Sequence, residues 1–381
     1  MIVSHIKSLF YLKGILRTSP ISSSYVLLQQ SSSIFTHKYC TGTVKKESFS
    51  VKYLIENCGF SPETALLVSK RVSFESSEKP DSVLELFRNC GFSDSQLRGI
   101  IGKVPSLLRS NPIKTIWPKL EFLLSKGASC SQLVEIVTRS PRYLKRSLAD
   151  HIIPCYDFVK RFLPHDKRII TAINRCNGII CDSNMVSNVK LLLDNGVPES
   201  GIASLLHTWP RLLNLTKDQF SVAVEEVKKL GLDPSKSAFI PALYAKKTLN
   251  KGVWDRKVDV YKKWGWSDEA IDRAFSQHPY CMMKAEHKIE AVMGFFVNHL
   301  GWNSAVIAKN PVIISFSLEK RIIPRAFVLQ HLQSRGLIKD TKVLRAFHIP
   351  EKTFLEKFVN SFKDDAPQLL KLYEEKMNLS S

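Results

Sequence analysis

The stretch Gly127-Ala-Ser-Cys-Ser-Gln-Leu-Val-Glu-Ile-Val-Thr-Arg-Ser-Pro-Arg-Tyr-Leu144 decides the fold class of this chain. Leu133, Ile136 and Val137 have the i, i+3, i+4 spacing that places apolar side chains on one buried helix face. Pro141 ends that helix, because proline lacks the N–H that the next turn needs and restricts the residue before it. The stretch then closes on an apolar pair.

The same frame recurs along the chain, with a proline at +14 and an apolar pair at +16 and +17 from its first residue. Full copies begin at Gly91, Gly127, Gly196 and Gly265; degenerate copies begin at Gly59, with Ser73 in the proline position, and at Leu163, with Asn177 there; short copies with the proline at +10 begin at Gly231 (Pro241) and Gly301 (Pro311). Successive copies start 32, 36, 36, 33, 35, 34 and 36 residues apart. Such a period is typical of a solenoid, whose repeats bury apolar faces only against their neighbours. We therefore predict an all-α solenoid superhelix of about eight repeats, without a sheet.

Helix starts and the C-terminal pattern fit this prediction. Start signals occur at Ser61-Pro62-Glu63, at Ser93 with Gln96, at Asp233-Pro234 and at Ser267-Asp268-Glu269. After Gly336 the repeat is lost, and two apolar helix faces follow, formed by Phe354, Leu355, Phe358 and Val359 and by Leu369, Leu370, Leu372 and Tyr373. We predict a repeat region over residues 47–336 and a helical cap over residues 337–381.

The first 46 residues contain six basic side chains, no Asp or Glu, and many Ser and Thr. This composition is typical of an organelle transit peptide, and the basic amphipathic start favours the mitochondrion over the chloroplast. The alternative is a disordered basic tail. Subtracting these six charges from the formal net charge of +20 leaves +14 on the rest of the chain. That excess favours a polyanionic partner: nucleic acid first, an anionic membrane surface second.

Several other classes of protein are disfavoured. None of the eight cysteines forms a Cys-x-x-Cys pair, so we expect no zinc site and no disulfide framework. Phosphate-loop, dinucleotide-binding and His-Glu-x-x-His motifs are absent from the sequence. No run reaches the ~18 apolar residues of a membrane span. We expect no enzyme activity, no cofactor and no metal.

The repeats resemble the mitochondrial transcription termination factor (mTERF) family. The resemblance lies in Val104-Pro105-Ser106-Leu107-Leu108, Ser140-Pro141-Arg142-Tyr143-Leu144, Trp209-Pro210-Arg211-Leu212-Leu213, Gly265-Trp266-Ser267 before His278-Pro279, and Arg321-Ile322-Ile323-Pro324-Arg325. It covers about residues 50–370, and Gly59-Phe60-Ser61 with Pro80-Asp81-Ser82-Val83-Leu84 is similar to the plant branch. The resemblance implies units of three helices, an organelle location, and nucleic-acid binding in transcription termination or RNA processing.

Basic residues recur at and after the proline stops, where a shared phase would align them on one face and counterion release would supply affinity for phosphates. The predicted contacts are Arg109, Lys114, Arg142, Lys145, Arg146, Arg211, Lys217, Lys284, Lys288, Lys320, Arg321 and Arg325. Nearby helix N-termini would add N–H donors. The alternatives are a solvated face, pairing with acids such as Glu286 and Glu290, and, for Arg321 and Arg325, donation to carbonyls at a helix end.

The sequence therefore predicts a monomeric organelle protein that grips double-stranded DNA, structured organelle RNA or both. It would regulate gene expression through transcription termination, transcription regulation or intron splicing, with organelle expression-complex proteins as further partners. The alternative is a helical-repeat scaffold that binds proteins. A peripheral membrane protein is disfavoured, because the repeats lack a basic amphipathic helix with exposed aromatic residues.

Overall fold

The computed structural model describes residues 48–338, 343–364 and 367–378, and the predicted transit segment, residues 1–46, lies outside them. Every regular element in these ranges is helical, and no strand occurs in them. The chain divides into two compact units. Met1–Ser187 with Ala203–Asn214 is the first unit, and Asn188–Ile202 with Leu215–Ser381 is the second.

The first unit contains the early repeats. Its helices are Phe49–Glu56, Pro62–Ser69, Glu78–Asn89, Asp94–Lys103, Pro105–Arg109 (3₁₀), Pro112–Ile116 (π), Trp117–Ser125, Cys130–Arg139, Pro141–Lys145 (3₁₀), Leu148–Ile152 (π), Ile153–Lys160, Asp166–Arg175, Gly178–Cys181 and Pro210–Asn214 (3₁₀). Two further helices, Ser183–Asp194 and Glu199–Thr208, have residues in both units.

The second unit contains the later repeats and the C-terminal segment. Its helices are Lys217–Lys229, Phe239–Thr248, Lys251–Lys263, Asp268–Gln277, Pro279–Cys281 (3₁₀), Glu286–Gly294, Phe295–His299 (π), Ser304–Ala308, Pro311–Ser315 (3₁₀), Leu318–Ile322 (π), Ile323–Ser334, Val343–Ala346, Glu351–Phe358, Asn360–Phe362 (3₁₀) and Leu369–Asn378.

A regular repeat has three parts, which we call the first helix, the proline turn and the final helix. In the repeat that decided the fold class, the first helix is Cys130–Arg139 and the proline turn is the 3₁₀ helix Pro141–Lys145. The final helix then returns through residues 148–160. The predicted apolar pairs of the turns are buried: Leu107, Leu108, Tyr143, Leu144, Ile179, Ile180, Leu212, Leu213, Cys281 and Met282. The prediction of three-helix units with buried anchors is confirmed.

The glycine between repeats ends the final helix of the preceding one. The Gly127 φ of +88° is left-handed, a conformation that costs residues with a Cβ about 1–2 kcal/mol. Its N–H donates to Leu124 O at 3.0 Å, and the Ala128 N–H donates to Leu123 O at 3.1 Å, which together form a Schellman cap. Positive φ angles also occur at Gly59, Gly91, Gly196, Gly231, Gly265, Gly301 and Gly336.

The start of the Gly231 repeat differs from the prediction. Pro241 does not stop a helix; it is the third residue of Phe239–Thr248. Proline is tolerated there because N–H groups in the first turn of a helix have no intrahelical partner. Asp233 does not start a helix either, since its Oδ1 accepts the Ser235 N–H at 2.9 Å within a turn. In the other short repeat, Pro311 opens a 3₁₀ helix, as predicted.

The two repeats without a proline have different local structures. The buried Asn177 donates from Nδ2 to Ile136 O at 2.5 Å, and a short helix, Gly178–Cys181, carries the apolar pair. After Ser73 the chain forms no helix before Glu78–Asn89; instead, the Ser50 hydroxyl donates to Phe74 O at 2.9 Å.

Basic residues connect successive first helices in the first unit. Lys103, the last residue of one first helix, donates from Nζ to Thr138 O at 3.1 Å, and Thr138 is the penultimate residue of the next first helix. The same contact joins Arg71 to Gly102 O at 3.0 Å, Arg139 to Asn174 O at 2.7 Å and Arg175 to His207 O at 2.5 Å. We call these four contacts the carbonyl ladder. The ladder gives donors to carbonyls at the ends of helices, which have no partner within their own helix.

The C-terminal segment packs on Ile323–Ser334 mainly through Leu369–Asn378. In it, Phe354, Phe358, Val359, Leu369 and Tyr373 are buried, which agrees with the predicted apolar faces. Of the other predicted residues, Leu355 and Leu372 are half-buried and Leu370 is exposed.

Substitution of a repeat glycine tests the cap. Gly127→Ala should lower the free energy of unfolding by about 1–2 kcal/mol, because alanine is strained at positive φ. Space is not the cause, since no atom lies within 4 Å of where the Cβ would be. The control is Gly99→Ala, which has equal space inside Asp94–Lys103 and should raise stability by about 0.5–1 kcal/mol. Urea denaturation followed by circular dichroism measures both, and equal effects would contradict the cap.

Candidate nucleic-acid interface

The predicted cations lie in the proline turns and in the first turns of the final helices. Eight are exposed: Arg109, Lys114, Arg142, Lys145, Arg146, Arg211, Lys217 and Lys320. Lys284, Lys288 and Arg321 are half-buried, and Arg325 is buried. Equivalent positions recur, because Arg109 and Lys145 both end 3₁₀ turns. Two successive repeats of the first unit thus carry a cation at the same position of the proline turn.

In the first unit, Lys119 lies beside these exposed cations. Its Nζ donates to Leu144 O at 2.6 Å, and the Tyr143 hydroxyl donates back to Lys119 O at 2.9 Å. Burial, and then the charge of Lys145, lower the pKa of Lys119. The ammonium groups of Lys119 and Lys145 therefore repel each other, and a bound anion would reduce this repulsion.

The second unit repeats this arrangement at Lys284. Burial and the neighbouring Lys288 lower the pKa of Lys284, and burial with Lys284 lowers the pKa of His278. Lys257, a buried lysine of the final helix Lys251–Lys263, donates from Nζ to Lys284 O. Lys257 thus has a role like that of Lys119, since each fixes the backbone of the following proline turn.

Carboxylates near these cations pair with other residues. Glu286 accepts from Arg256 at 3.2 Å and Glu290 from Lys263 at 3.0 Å, so the predicted alternative, in which these two acids neutralise the site, is not observed. Apart from Arg321 and Arg325, there are ten predicted cations. Within residues 48–338, none of these ten forms an ion pair with a carboxylate. We call these ten residues the unpaired cations: Arg109, Lys114, Arg142, Lys145, Arg146, Arg211, Lys217, Lys284, Lys288 and Lys320.

The helix N-termini beside these cations already have acceptors for part of their N–H groups. Asn111 Oδ1 accepts from the N–H groups of Ile113 and Lys114 at 3.0 and 2.8 Å. Ser147 and Ser317 cap the equivalent final helices in the same way. Side-chain cations, rather than these N–H groups, are therefore the groups available to an anion.

Arg321 and Arg325, which were predicted to contact nucleic acid, lie against backbone carbonyls in the structure. Arg325 is 1% exposed, and its Nη1 donates to Ala346 O at 2.9 Å and Ile349 O at 2.7 Å. Arg321 donates to three carbonyls, those of Phe347, His348 and Ile349, each at 3.0 Å. Burial lowers the pKa of both guanidinium groups. The alternative considered from the sequence, donation to carbonyls at a helix end, is observed, and the helix is Val343–Ala346.

Comparison with known proteins identifies the repeats. The mTERF family model matches residues 84–293 and 177–355, which together cover most of the chain. This chain belongs to the mTERF family. The family predicted from the proline anchors is confirmed, as is the all-α class of helical-repeat solenoids.

Three relatives show how far this mTERF chain is similar to other members of the family. It is 21% identical over 243 residues to "Transcription termination factor MTERF8, chloroplastic" of Arabidopsis thaliana, covering 62% of this chain and 48% of that protein. It is 19% identical to "Transcription termination factor MTERF15, mitochondrial" of Arabidopsis thaliana, covering 66% of this chain and 72% of that protein. It is 28% identical to "Transcription termination factor 1, mitochondrial" of Homo sapiens, covering 29% of each chain. The match thus spans about half of the first relative and under a third of the human one.

Two further observations concern other classes of site in this mTERF protein. Within residues 48–338, 343–364 and 367–378, no helix is long and apolar enough to cross a membrane. In the same ranges, no group of three or more His, Cys, Asp or Glu side chains could hold a metal ion.

Sequence reasoning missed the structural role of Lys119 and gave that of Arg325 only as an alternative. Lys119 and Arg325 both lie fourteen residues after a turn proline, and each directly follows another proline, Pro118 or Pro324. A cation at one repeat position within an apolar stripe is a signal of a structural contact, because a buried charge needs partners. That signal was available in the sequence.

Arg325→Ala tests the structural role of this residue. Removing the guanidinium leaves Ala346 and Ile349 carbonyls without their donor, so local opening of residues 343–359 should become easier by ~3 kcal/mol. Hydrogen exchange monitored by mass spectrometry measures this. Lys320→Ala, at a neighbouring exposed cation, is the control and should leave exchange unchanged. Unaltered protection in Arg325→Ala would contradict the assigned contacts.

Proposed function

We propose that this mTERF protein binds nucleic acid through the unpaired cations and thereby regulates organelle gene expression. The observation that carries the proposal is the absence of carboxylate partners around these ten residues in the described chain, while nearby cations such as Arg256 and Lys263 are paired. Cations without partners gain most from phosphates, because binding releases the condensed counterions of the nucleic acid.

The charge of the whole chain supports the same proposal. The formal net charge is +20, and +14 without the first 46 residues, so either form of the chain would attract a polyanion over a long range and accelerate encounter. Cations that recur in five of the eight repeats suit a ligand whose own charges recur, which is a property of a nucleic-acid backbone. Phosphate contacts of this kind give affinity without reading sequence, so they serve double-stranded DNA and structured RNA alike.

The action we propose is mechanical. A protein that grips a duplex at many phosphates is an obstacle to a polymerase, which would give transcription termination or regulation. One that grips a folded RNA holds it in one shape, which would assist intron splicing. The names of the relatives, all transcription termination factors, favour termination and transcription regulation.

The location we propose is an organelle, with the mitochondrion first. Support comes from the acid-free, basic first 46 residues and from relatives named as mitochondrial or chloroplastic. Import of the full chain into isolated plant mitochondria and chloroplasts, followed by protease protection, tests this. Protection in neither organelle would contradict it.

A charge-matched pair of triple variants tests binding. Arg142→Ala/Lys145→Ala/Arg146→Ala should weaken binding to a duplex DNA or a structured RNA and reduce the log–log salt dependence by about 2–3 for duplex DNA. Fluorescence anisotropy titrations at salt concentrations from about 50 to about 200 mM give both the affinity and its salt dependence.

The control removes the same number of charges elsewhere. Arg256, Lys262 and Lys263 each pair with an acid, at 3.2, 2.7 and 3.0 Å, and replacing all three by alanine should change affinity and slope little. Equal losses in the two triple variants would mean that net charge alone drives binding, and this result would overturn the proposed interface.

Crosslinking in intact organelles separates the modes of action. Enrichment of one DNA site would indicate termination or transcription regulation, and enrichment of an intron or a transcript end would indicate RNA processing. Recovery of a stable protein partner with neither nucleic acid would support the scaffold alternative instead.

A further inference from the structure

The helix Pro62–Ser69 has an exposed apolar face. Ser61 caps its start, and only Ala65 and Val68 are buried in it. Leu66 and Leu67 are 54% and 62% exposed, which is more than any other leucine named among the exposed large apolar residues. A contiguous exposed apolar patch with a polar rim is typical of an interaction surface.

The corresponding position is buried in two later repeats of the same unit. Leu66 lies seven residues after Gly59, and its counterparts Val134 and Ile170 are 9% and 1% exposed. Val134 shares a cleft of about 530 Å³ with Gly91, the glycine that opens the preceding repeat. In these two repeats this face is therefore part of the contact with the preceding repeat, whereas the equivalent Arg98 of the Gly91 repeat is exposed. In Pro62–Ser69 the same face has no such cover among the described residues.

The exposed face of this helix has a self-complementary pattern. Glu63, Leu66, Leu67 and Lys70 have the i, i+3, i+4, i+7 spacing of one helix face, and all four are exposed. A two-fold axis between Leu66 and Leu67 would bring Glu63 of one helix opposite Lys70 of an antiparallel copy. The same axis would bring Leu66 opposite Leu67. Neither Glu63 nor Lys70 has an ion pair within residues 48–338.

We propose that a second copy of this chain covers this face by antiparallel pairing of the two Pro62–Ser69 helices. Such an isologous contact buries the leucine pair of each copy and forms two Glu63–Lys70 ion pairs at once. The face is small compared with the ~1,200–2,000 Å² of standard interfaces, so the dimer is weak and depends on concentration. This proposal replaces the expectation of a monomer from the sequence and does not depend on nucleic-acid binding.

Sedimentation equilibrium of the full chain over a wide concentration range, without nucleic acid, tests the contact. The wild-type chain should shift from monomer to dimer, and Leu66→Glu/Leu67→Glu should stay monomeric throughout. Both leucines are exposed, so the fold should tolerate the change. Val222→Glu is the control, since Val222 is 56% exposed on another helix and should leave the dimer unchanged.

Charge exchange makes the test specific to the antiparallel geometry. Glu63→Lys alone and Lys70→Glu alone should each weaken the dimer about tenfold, because two attractive contacts become repulsive. The double variant Glu63→Lys/Lys70→Glu should restore it. A wild-type chain that remains monomeric, or a double variant that is weaker than both single variants, would overturn the proposal.

Discussion

The last carbonyl groups of a helix must find donors outside that helix, and this requirement shapes the whole protein. First helices here are about ten residues long, so helix ends are frequent. The chain meets the requirement in two ways. Glycine at positive φ lets the final helices cap themselves with backbone N–H groups. The first helices, which end at a proline turn, take donors from the preceding repeat instead.

This requirement divides the basic residues into two groups. Lys103, Arg139, Lys119 and Arg325 donate to backbone carbonyls, and their role is to hold adjacent segments of the chain together. The unpaired cations have no such role in the described chain. A net charge of +20 therefore overstates the charge free for a polyanion. The charge that this mTERF protein offers to a polyanion is that of its surface cations without the structural ones.

Much of the fold could be read from the sequence, because glycine and proline constrain the backbone wherever they stand. The Gly127-to-Pro141 frame predicted a helix, its end and two buried anchors correctly. Pro241 was predicted to end a helix but lies near the start of one. A proline ends a helix only when it lies beyond the first turn, and the sequence did not reveal that the helix began at Phe239.

The site could be predicted less well, because the partners of a cation are decided by folding. Arg325 and Lys320 look alike in the sequence, yet one is buried against carbonyls about twenty residues away and the other is exposed. Every residue has a backbone carbonyl, so a sequence pattern does not show which carbonyl will accept a hydrogen bond from a given cation. Asn177 is a similar case, since its amide bonds a carbonyl of another repeat where a proline was expected.

The carbonyl ladder has a direction, since every one of its cations precedes its acceptor in the chain. A ribosome or an import channel releases the N-terminus first. Each completed repeat therefore presents its donor before the next helix exists, and the newly emerging helix end meets a cation already in place. Vectorial synthesis can assemble the first unit one repeat at a time, with each repeat acting as the template for its successor.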